Sequence, residues 1–454
     1  TQEEAQRFVT RLPASLQKKT TLIADGGKQS RFKQWQAVAQ GQKNIICGTR
    51  RALWFPFPLL GMVIVDEEQH EYHKQADQNP RYHARTAALA LAEAYGIPAL
   101  LSSIHPSLEA RTLVLESQRI ILRHPQNVHV TLVSRLEEIR KGNYELISEK
   151  LEEIIQITIQ RKQNVFLFHN RTGLFHQLQC RTCESAVECP TCRVPLFLTA
   201  AEDPRCPRCQ KPQRPVTACS ACGGVTFSKR RKGLIGLKHD VKKNLPQTPV
   251  VILDRVRSQI QTSVPTVFLG PTSLIPLLKE IPAMGMAGVI HAEQLLQSFN
   301  FRSGERMVQT MIALQSVCDS AGIRECVIQS NAPDHPLIQT ILDHDFDTFY
   351  ERELEERKEF GFPPIGSIVK FLIKDSEMQA AEKKARELDH VLRDAWSRDD
   401  PHIEVLSPMP TSEPSLYQNA VMIIIARKKQ GSIQIPWGSI PDDVLVDVEP
   451  EHFH

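Results

Sequence analysis

Cysteine pairs with C-x-x-C spacing constrain this chain more than any other feature. Eight of its 11 cysteines fall between residues 180 and 222 as four such pairs. The pairs are Cys180/Cys183, Cys189/Cys192, Cys206/Cys209 and Cys219/Cys222. Both thiolates of one pair can face the same tetrahedral Zn²⁺ at about 2.3 Å, so four pairs supply two closed Cys₄ sites. We therefore expect two structural zinc ions, with no coordination position left open for a substrate.

A single C-x-x-C pair is also compatible with a redox turn, but four pairs in one short stretch favour metal binding. The stretch is poor in large apolar residues and rich in Pro, Arg and Lys. Without metal it cannot bury enough surface to order itself. The remaining cysteines, Cys47, Cys318 and Cys326, make no obvious pair, as a reducing compartment permits.

Basic residues cluster inside and directly after the cysteine stretch. They are Arg205, Arg208, Lys211, Arg214, Lys229, Arg230, Arg231, Lys232, Lys238, Lys242 and Lys243. Clustered Lys and Arg beside a zinc module indicate contact with a phosphate backbone. A solvated loop and helix face is the alternative. The whole chain of 454 residues has a net charge of only +3, so this local cluster carries the indication of nucleic acid.

The length of the chain allows about three domains. No apolar run approaches about eighteen residues and no signal peptide is recognisable, so we expect a cytoplasmic protein without a membrane partner. The first residue is Thr1, within what reads as the end of a loop before a helix. We therefore expect that an N-terminal part precedes this segment.

Short apolar strands alternate with helical segments from residue 1 to about residue 115. Strands that are apolar throughout predict a parallel sheet covered on both faces. The apolar strand at residues 61–65 ends at Asp66 and Glu67. Because ligands bind at the carboxyl ends of parallel strands, these are candidate catalytic residues, Asp66 for Mg²⁺ and Glu67 for the attacking water. A polar strand end without metal is an equally weighted alternative.

The segments around this acidic pair resemble the bacterial replication-restart helicases of the PriA family. The match covers the Gly-Thr-Arg segment at residues 48–50 and the Asp-Glu-Glu box with its following segment at residues 65–85. It continues with residues 168–173, the eight cysteines in the family's order, residues 333–338 and residues 349–364. The resemblance therefore spans almost the whole chain.

The resemblance implies an α/β fold with two RecA-like parallel-sheet lobes, the first incomplete, and a small C-terminal α/β domain. It implies the remainder of the first lobe at residues 1–135, the second lobe at 136–179 and 223–335, a zinc-binding module at 180–222, and the C-terminal domain at 336–454. It also implies how the cysteines share the metals. The first zinc is bound by Cys180, Cys183, Cys219 and Cys222, and the second by Cys189, Cys192, Cys206 and Cys209.

The family also implies the partners, namely forked or single-stranded DNA, primosome proteins and the single-strand-binding protein. The expected DNA contacts are Arg50, Arg171, Lys229, Arg230 and Arg231. For Arg171, a salt bridge is an equally weighted alternative. We expect Trp35, Trp54 and Phe55 to be packing residues that do not stack on bases.

Several segments that a helicase motor needs differ from the family pattern. No G-x-x-x-x-G-K-[ST] loop occurs, and in the family it lies upstream of the present residues. The coupling segment, Gly-Ser-Ala-Thr-Pro-Ser in the family, reads Ser-Ser-Ile-His-Pro-Ser at residues 102–107, and Gln69 replaces the His of the box. In the register set by residues 301–306, the two arginines of the second lobe fall on Val317 and Ser320.

Loss of an arginine finger lowers the rate of phosphoryl transfer by about 10³ to 10⁵, and Arg324 is the one nearby substitute. We therefore expect a replication-restart protein that binds branched DNA with weak or absent ATPase and helicase activity. ATP and Mg²⁺ remain candidate cofactors beside the two zinc ions. One alternative is an active ATP-dependent 3′–5′ DNA helicase whose phosphate loop lies upstream. Another is a zinc-ribbon protein that binds nucleic acid without a restart role.

Overall fold

A computed structural model describes most of the chain and shows two compact units. The described residues are 2–23, 28–75, 78–117, 128–143, 145–170, 176–180, 187, 196–198, 204–205, 216–219, 222–231, 233–253, 260, 262–296, 300–410 and 420–451. One unit consists of Thr1–Ile121 with Glu351–His454, and the other of Leu122–Tyr350. Both contain helices and sheets, which confirms the α/β class. The domain boundaries expected from the family remain a prediction.

Six parallel strands form the core of the unit Leu122–Tyr350. In sheet order they are Val250–Ile252, Val267–Gly270, Asn164–Phe168, Met284–Val289, Glu325–Ser330 and His129–Ser134. Every residue of the central strands Asn164–Phe168 and Met284–Val289 is buried. Continuous apolar runs of this kind are typical of a parallel sheet covered on both faces. The sheet confirms the predicted second parallel-sheet lobe.

The helices of this unit are Arg135–Arg140, Glu149–Gln160, Leu234–Asn244, Ser303–Ala321 and Pro336–Asp343, with 3₁₀ segments at Thr272–Lys279 and Ala292–Leu296. Three of them start at a side-chain cap, which is Ser134, Ser148 or His335. Helix Glu149–Gln160 begins where the side chain of Ser148 accepts a hydrogen bond from the backbone N–H of Leu151. Its buried residues, among them Leu151, Ile154 and Ile155, follow the helical period and pack into the core around the sheet.

A small antiparallel sheet carries the described part of the cysteine stretch. Its strands, in sheet order, are Phe227–Arg231, His176–Cys180, Phe197–Leu198 and Pro204–Arg205. In the chain it follows the sheet strand Asn164–Phe168 and precedes helix Leu234–Asn244. The cysteines therefore lie in an insertion between two elements of the parallel-sheet lobe.

The N-terminal part of the other unit contains a β–α–β arrangement. Strands Thr20–Ile23 and Ile45–Gly48 pair in parallel, and helix Lys28–Ala39 connects them. Two further helices, Gln2–Arg11 and Ala14–Gln17, precede the first strand. A short 3₁₀ segment, Arg50–Trp54, follows the second strand.

A second parallel pair, Val63–Val65 with Ala99–Leu101, carries the acidic segment. Helix Ala84–Tyr95 connects these strands and packs its alanine-rich face on one side of them. On the other side, Ile64 and Leu100 are 61% and 52% exposed. The prediction that this sheet is covered on both faces is therefore wrong for this pair, because one face packs on the helix and the other is open.

A five-stranded antiparallel sheet forms the C-terminal part of this unit. Strands Ile403–Val405, Ala420–Lys428, Ser367–Asp375 and Leu445–Val448 lie in this order, and Met409–Pro410 pairs with Ala420–Lys428. Helix Met378–Asp399 packs on one face through Ala381, Ala385, Leu392 and Trp396. The remaining helical segments are Glu71–His73, Leu108–Ser117, Phe346–Phe360 and Trp437–Ser439. The sheet and its helix confirm the predicted small C-terminal α/β fold. Among the described helices, none combines the length and the apolar character needed to cross a membrane.

Candidate metal centre and acidic segment

Three cysteine side chains converge in the small antiparallel sheet. The sulfur atoms of Cys180, Cys219 and Cys222 lie within 4.8 Å of one another, and the Sγ atoms of Cys180 and Cys222 are 3.6 Å apart. A disulfide requires about 2.05 Å, whereas thiolates at about 2.3 Å from a tetrahedral Zn²⁺ lie roughly 3.8 Å apart. The three thiols therefore fit a shared metal ion and not a disulfide.

The strand register places these cysteines side by side. Cys180 is the last residue of strand His176–Cys180 and lies opposite Phe227, the first residue of the neighbouring strand. Because the two strands are antiparallel, the segment that leads into Phe227 lies next to the end of the first strand at Cys180. The turn that precedes Phe227 contains Cys219 and Cys222, so the register alone brings the first cysteine next to the last pair.

A tight turn orients the last cysteine pair. The backbone N–H of Gly223 donates to the carbonyl oxygen of Cys219, and the N–H of Cys219 donates to the carbonyl oxygen of Gly224, both at 2.8 Å. The N–H of Gly224 donates to Sγ of Cys222 at 3.4 Å. Gly223 has a φ of +73°, which glycine adopts without strain. An N–H aimed at a sulfur favours the thiolate form, the form that binds metal.

Three of the four cysteines expected at the first zinc are thus brought together. The fourth, Cys183, lies outside the described residues, as do the four cysteines expected at the second zinc, Cys189, Cys192, Cys206 and Cys209. In the part of the chain that the structure describes, Cys180, Cys219 and Cys222 are the one group of three metal-ligating side chains close enough to share an ion. Sulfur ligands suit zinc.

The acidic segment follows strand Val63–Val65 at its carboxyl end, as the sequence predicts. Oδ1 of the exposed Asp66 accepts a hydrogen bond from Oγ of Ser102 at 2.6 Å. Glu67 has a φ of +49°, a conformation uncommon for a residue other than glycine. The backbone therefore turns sharply at the second candidate carboxylate, and the two candidate catalytic residues lie together at this edge.

Glu68, the third carboxylate of the box, has a structural role that sequence reasoning missed. It is fully buried, and its oxygens accept from the N–H and Oγ of Ser107 at 2.7 and 2.8 Å and from Nη1 of Arg85 at 2.9 Å. Burial opposes the charge of Arg85, but the carboxylates of Glu109 and Glu68 outweigh it and raise the pKa of the guanidinium. The carboxylate of Glu68 therefore serves internal hydrogen bonds and an ion pair with Arg85.

Gln69 links the acidic segment to residues 102–107. Its amide nitrogen donates to Oε2 of Glu67 at 2.6 Å, and its amide oxygen accepts from Oγ of Ser103 at 2.7 Å. Gln69 thus occupies the position of the family's box histidine and uses both ends of its amide. The neighbouring His70 points elsewhere, because its ring stacks on Tyr72 with centroids 4.5 Å apart.

His73 supports the acidic segment from the following turn. Its Nε2 donates to the backbone carbonyl oxygen of Asp66 at 2.8 Å. Burial is the main cause that lowers the pKa of His73. The neutral imidazole is therefore favoured, with its proton on the nitrogen that faces Asp66.

The loop after the acidic segment is attached to the C-terminal sheet by an ion pair between Lys74 and Asp447. Nζ of Lys74 lies 2.8 Å from Oδ1 of Asp447, and both side chains are buried. The same ammonium group donates to the carbonyl oxygens of Arg81 and Glu449, each at 2.9 Å, and to that of Val448. Burial lowers the pKa of Lys74 and raises that of Asp447.

Backbone hydrogen bonds extend this attachment, which we call the C-terminal clasp and define by Lys74, Asn79, Arg81 and Asp447. The N–H of Arg81 donates to the carbonyl oxygen of Val446 at 2.8 Å, and the carbonyl oxygen of Arg81 accepts from Val448 at 3.1 Å. The Asn79 side chain accepts from Val446 N–H at 2.8 Å. Arg81 thus forms an isolated parallel β-bridge with Asp447, on the edge strand of the C-terminal sheet.

The predicted DNA contacts lie in different surroundings. The guanidinium group of Arg50 donates to the side chain of Gln75 and, at 3.2 Å, to the carbonyl oxygen of Tyr72, so it holds the loop after the acidic segment. Arg171 lies outside the described residues. The other three lie on strand Phe227–Arg231, whose backbone alone is described, and they are Lys229, Arg230 and Arg231.

Helix Ser303–Ala321 contains Val317 and Ser320, the positions at which the family resemblance places the second-lobe arginines. Val317 is 6% exposed and packs inside the unit, and Oγ of Ser320 donates to the carbonyl oxygen of Val317 at 3.1 Å. The suggested substitute, Arg324, directly precedes strand Glu325–Ser330. It therefore lies at the amino edge of the parallel sheet, opposite the carboxyl edge where ligands bind.

Two of the three aromatic residues predicted to be packing residues are exposed. Trp35 is 46% and Trp54 is 65% exposed, so the prediction is wrong for them. The ring of Trp54 meets that of Tyr82 edge-on, with centroids 5.3 Å apart. Phe55 is half-buried.

Comparison with known proteins identifies relatives for most of the chain. No protein-family model matches it. The chain is 28% identical over 385 residues to the replication restart protein PriA of Bacillus subtilis, an alignment that covers 80% of this chain and 47% of that protein. It is 27% identical over 412 residues to PriA of Synechocystis, covering 84% and 49%, and 27% identical over 428 residues to PriA of Haemophilus influenzae, covering 90% and 57%. The chain spans about half the length of these curated relatives.

Proposed function

We propose that this chain, a member of the family of the replication restart protein PriA, binds forked DNA and promotes assembly of a primosome. The observation that carries the proposal is the length of the match, which covers 80–90% of the chain in relatives of three bacterial groups. An alignment over 90% of the chain includes both the acidic segment and the cysteine stretch. A shared helicase fold or a shared zinc ribbon alone does not account for that combination. A role at replication forks also implies a cytoplasmic location.

The cysteine cluster supports a metal-dependent DNA-binding module. We assign Cys180, Cys219 and Cys222, with Cys183, to one structural zinc and the other four cysteines of the stretch to a second. Zinc bound by four thiolates supplies folding free energy and no reactive position. The strand that continues from the cluster, Phe227–Arg231, carries three consecutive cations, Lys229 to Arg231. A basic strand fixed by a metal cluster suits contact with DNA phosphates.

We further propose that the motor function is weak or lost. In the second lobe, the two expected arginines are replaced by the buried Val317 and by Ser320, which bonds to its own helix. Arg324 starts a strand at the sheet edge away from the ligand side. Transfer of a γ-phosphate therefore lacks these cations in the transition state.

Binding to forked DNA tests the proposed function. Fluorescence anisotropy compares a labelled three-way fork with a blunt duplex and an RNA hairpin of equal length, at one fixed salt concentration. We expect the fork to bind at least about tenfold more tightly than the duplex. Equal affinity for fork, duplex and RNA would contradict the proposal and support a zinc-ribbon protein that binds nucleic acid without a restart role.

An active ATP-dependent 3′–5′ helicase is the second candidate, and one observation favours it. Asp66 is exposed at the carboxyl end of a parallel strand with Glu67 beside it, the location where hard oxygen ligands hold Mg²⁺ in nucleotide hydrolases. ATP-dependent separation of the labelled strands of the same fork would establish this candidate. Loss of that activity in Asp66→Asn would assign it to this site.

A further inference from the structure

The three clustered cysteines differ in their access to solvent, although they share one site. Cys180 and Cys219 are 0% and 5% exposed, whereas Cys222 is exposed. The other described cysteines are half-buried or buried, and they are Cys47, Cys318 and Cys326. Among the cysteines that the structure describes, Cys222 is therefore the one that a dissolved reagent reaches most directly.

The local chain explains why Cys222 is open while its neighbour in the cluster is not. Gly223 and Gly224 follow Cys222 and carry no side chain that could cover the sulfur. Within the described part of the chain, a Cβ placed on Gly223 would meet no atom within 4 Å. The next residue, Val225, is 72% exposed. Cys180, in contrast, ends a strand that has a neighbouring strand on each side.

Exposure alone does not make a cysteine reactive, because the thiolate is the nucleophile. The N–H of Gly224 donates to Sγ of Cys222 at 3.4 Å and favours the thiolate. Coordination to the zinc ion assigned to this site also keeps the sulfur deprotonated. Elsewhere in the chain, burial raises the pKa of the Cys47 thiol, and a hydrogen bond with Cys318 together with burial raises that of Cys326. Both effects favour the unreactive thiol at those positions.

A second sulfur lies next to Cys222. Sγ of Cys180 is 3.6 Å from Sγ of Cys222, compared with about 2.05 Å in a disulfide. The hydrogen bonds of Cys219 to Gly223 and Gly224 keep the turn in place beside the strand end. Cysteines that respond to oxidants are accessible thiolates next to a resolving cysteine. Cys222 and Cys180 stand in this relation to each other.

We propose that Cys222 is an oxidation site, at which hydrogen peroxide converts the cysteine cluster to a Cys180–Cys222 disulfide and thereby releases the zinc ion of this site. Zinc bound by four thiolates requires all of them in the deprotonated, unbonded form. A disulfide removes two of the four ligands. The inference rests on the zinc assignment made with the proposed function.

The reaction has two steps. In the first, the thiolate of Cys222 attacks one oxygen of the peroxide, the O–O bond breaks, and the departing hydroxide takes a proton to become water. The sulfur of Cys222 is then a sulfenic acid. In the second, the thiolate of Cys180 attacks this sulfur, the S–S bond forms, the S–O bond breaks, and the leaving oxygen departs with a further proton as water. The two sulfurs lose two electrons, and the peroxide gains them.

Trapping of the sulfenic acid gives the first test. The reduced, zinc-loaded chain is treated with hydrogen peroxide and dimedone, which reacts with sulfenic acids, and peptide mass spectrometry locates the label. Cys222 should be labelled before any other cysteine. Without dimedone, peptide mapping should find Cys180 joined to Cys222, and a chromogenic chelator should detect the release of about one of the two zinc ions.

Histidine substitutions separate zinc binding from oxidation. Cys222→His leaves a Cys₃His ligand set, which also binds zinc, but removes the exposed sulfur. This variant should release zinc at least about tenfold more slowly than the parent chain in peroxide. The matched control is Cys180→His, which changes the buried ligand and should still take the dimedone label at Cys222. Cys47→Ser, outside the cluster, should behave like the parent.

The outcomes separate this inference from the proposed function. A reduced chain that contains no zinc contradicts the zinc assignment and the inference with it. If the chain contains zinc but another cysteine is labelled first, or if Cys222→His releases zinc at the parent rate, the inference is overturned and the zinc assignment stands. A disulfide from Cys222 to Cys183 or Cys219 would overturn the role of Cys180. Fork preference of the reduced, zinc-loaded chain tests the proposed function separately, because it is measured without peroxide.

Discussion

Glu68 and Asp66 carry the same functional group in neighbouring positions, yet burial gives them different roles. Glu68 is 0% exposed and its oxygens are satisfied by Ser107 and Arg85. Asp66 is exposed and accepts a single described hydrogen bond from Ser102. A buried carboxylate must keep its partners, whereas an exposed one can exchange a partner for a metal or water. In an acidic run, accessibility therefore decides which carboxylate is available for chemistry.

Removing Arg85 should show how strongly the buried carboxylate depends on its partner. Arg85→Met leaves Glu68 as a buried charge without its cation, which should lower the free energy of unfolding by about 3–5 kcal/mol. Urea unfolding followed by circular dichroism measures the change. The control is Lys383→Met, which breaks the pair between Lys383 and Glu387, with side chains 80% and 66% exposed, and should change stability by less than about 1 kcal/mol. Equal effects of the two substitutions would contradict the structural role of Glu68.

His73 should titrate below the usual range for histidine, because burial lowers its pKa. NMR titration of the imidazole signals, with the His73 signal identified by its absence in His73→Gln, measures this value. The shift also has a definite sign for stability. Below about pH 6.5 the unfolded chain binds a proton that the folded chain excludes, so stability falls with pH down to the folded-state pKa. A His73 pKa above about 6.5 would contradict a half-buried imidazole that stays neutral.

At the scale of elements, the periodicity of apolar residues predicts most strands and helices of the second lobe. In this lobe, apolar residues at helical spacing precede a continuous apolar run in the sequence, and the structure has helix Glu149–Gln160 followed by strand Asn164–Phe168. The helix starts after Ser148, whose side chain caps it. Such a cap is a local signal, so this boundary was accessible to sequence reasoning.

The C-terminal clasp could not be predicted from the sequence in the same way. Lys74 and Val448 are 374 positions apart in sequence, and neither belongs to a pattern with a helical or strand period. The exposure of Trp35 was also missed, because residue type alone predicts burial for large aromatic residues. Contacts between distant segments depend on tertiary packing, and one sequence does not reveal it.

Breaking the C-terminal clasp should destabilise the unit that contains it. Asp447→Asn leaves the buried ammonium of Lys74 without its carboxylate, which should cost about 3–5 kcal/mol of unfolding free energy. The matched control is Asp443→Asn, because Asp443 is 60% exposed and pairs with the exposed Lys384 at 3.2 Å. Its effect should stay below about 1 kcal/mol. Urea unfolding compares both variants, and an Asp447→Asn variant as stable as the control would refute the clasp.

The zinc content of the purified chain tests the assignment of two zinc ions to the cysteine stretch. Elemental analysis of the purified chain should give two zinc ions per chain, and Cys219→Ser should reduce this to about one, because it removes a ligand of one site. Cys47→Ser, outside the cysteine stretch, is the control and should leave the content unchanged. A chain without zinc, or a Cys219→Ser variant with unchanged zinc, would contradict the assignment.

On the scale of the whole molecule, the chain combines similarity to PriA over most of its length with departures from the motor segments that the family resemblance implies. The relatives named PriA align with 80–90% of its length. Yet Val317 is buried in the second lobe, and Gln69 holds the acidic segment to residues 102–107 by hydrogen bonds of its amide. Val317 contributes to packing and Gln69 to internal hydrogen bonds, so both residues stabilise the fold. They agree with the proposal that the chain binds DNA without a working motor.

The similarity to PriA was more accessible from sequence than the details of the site. The cysteine spacing and the box at residues 65–70 are motifs that survive low overall identity, so they indicated the family directly. The roles of Glu68 and of the C-terminal clasp depend on burial. Burial is set by the packing of residues far apart in the chain, and the motifs do not report it.

Whether the motor is lost is decided most directly by ATP turnover measured during fork binding, on the polypeptide as its own gene encodes it. Anisotropy of a labelled fork and release of phosphate are recorded in one reaction with Mg²⁺ and ATP. We expect saturable fork binding while phosphate release stays at the rate of a protein-free blank. Phosphate release stimulated by the fork to about 1 s⁻¹ or more, an ordinary enzymatic rate, would contradict the proposal that this chain binds forks without a working motor.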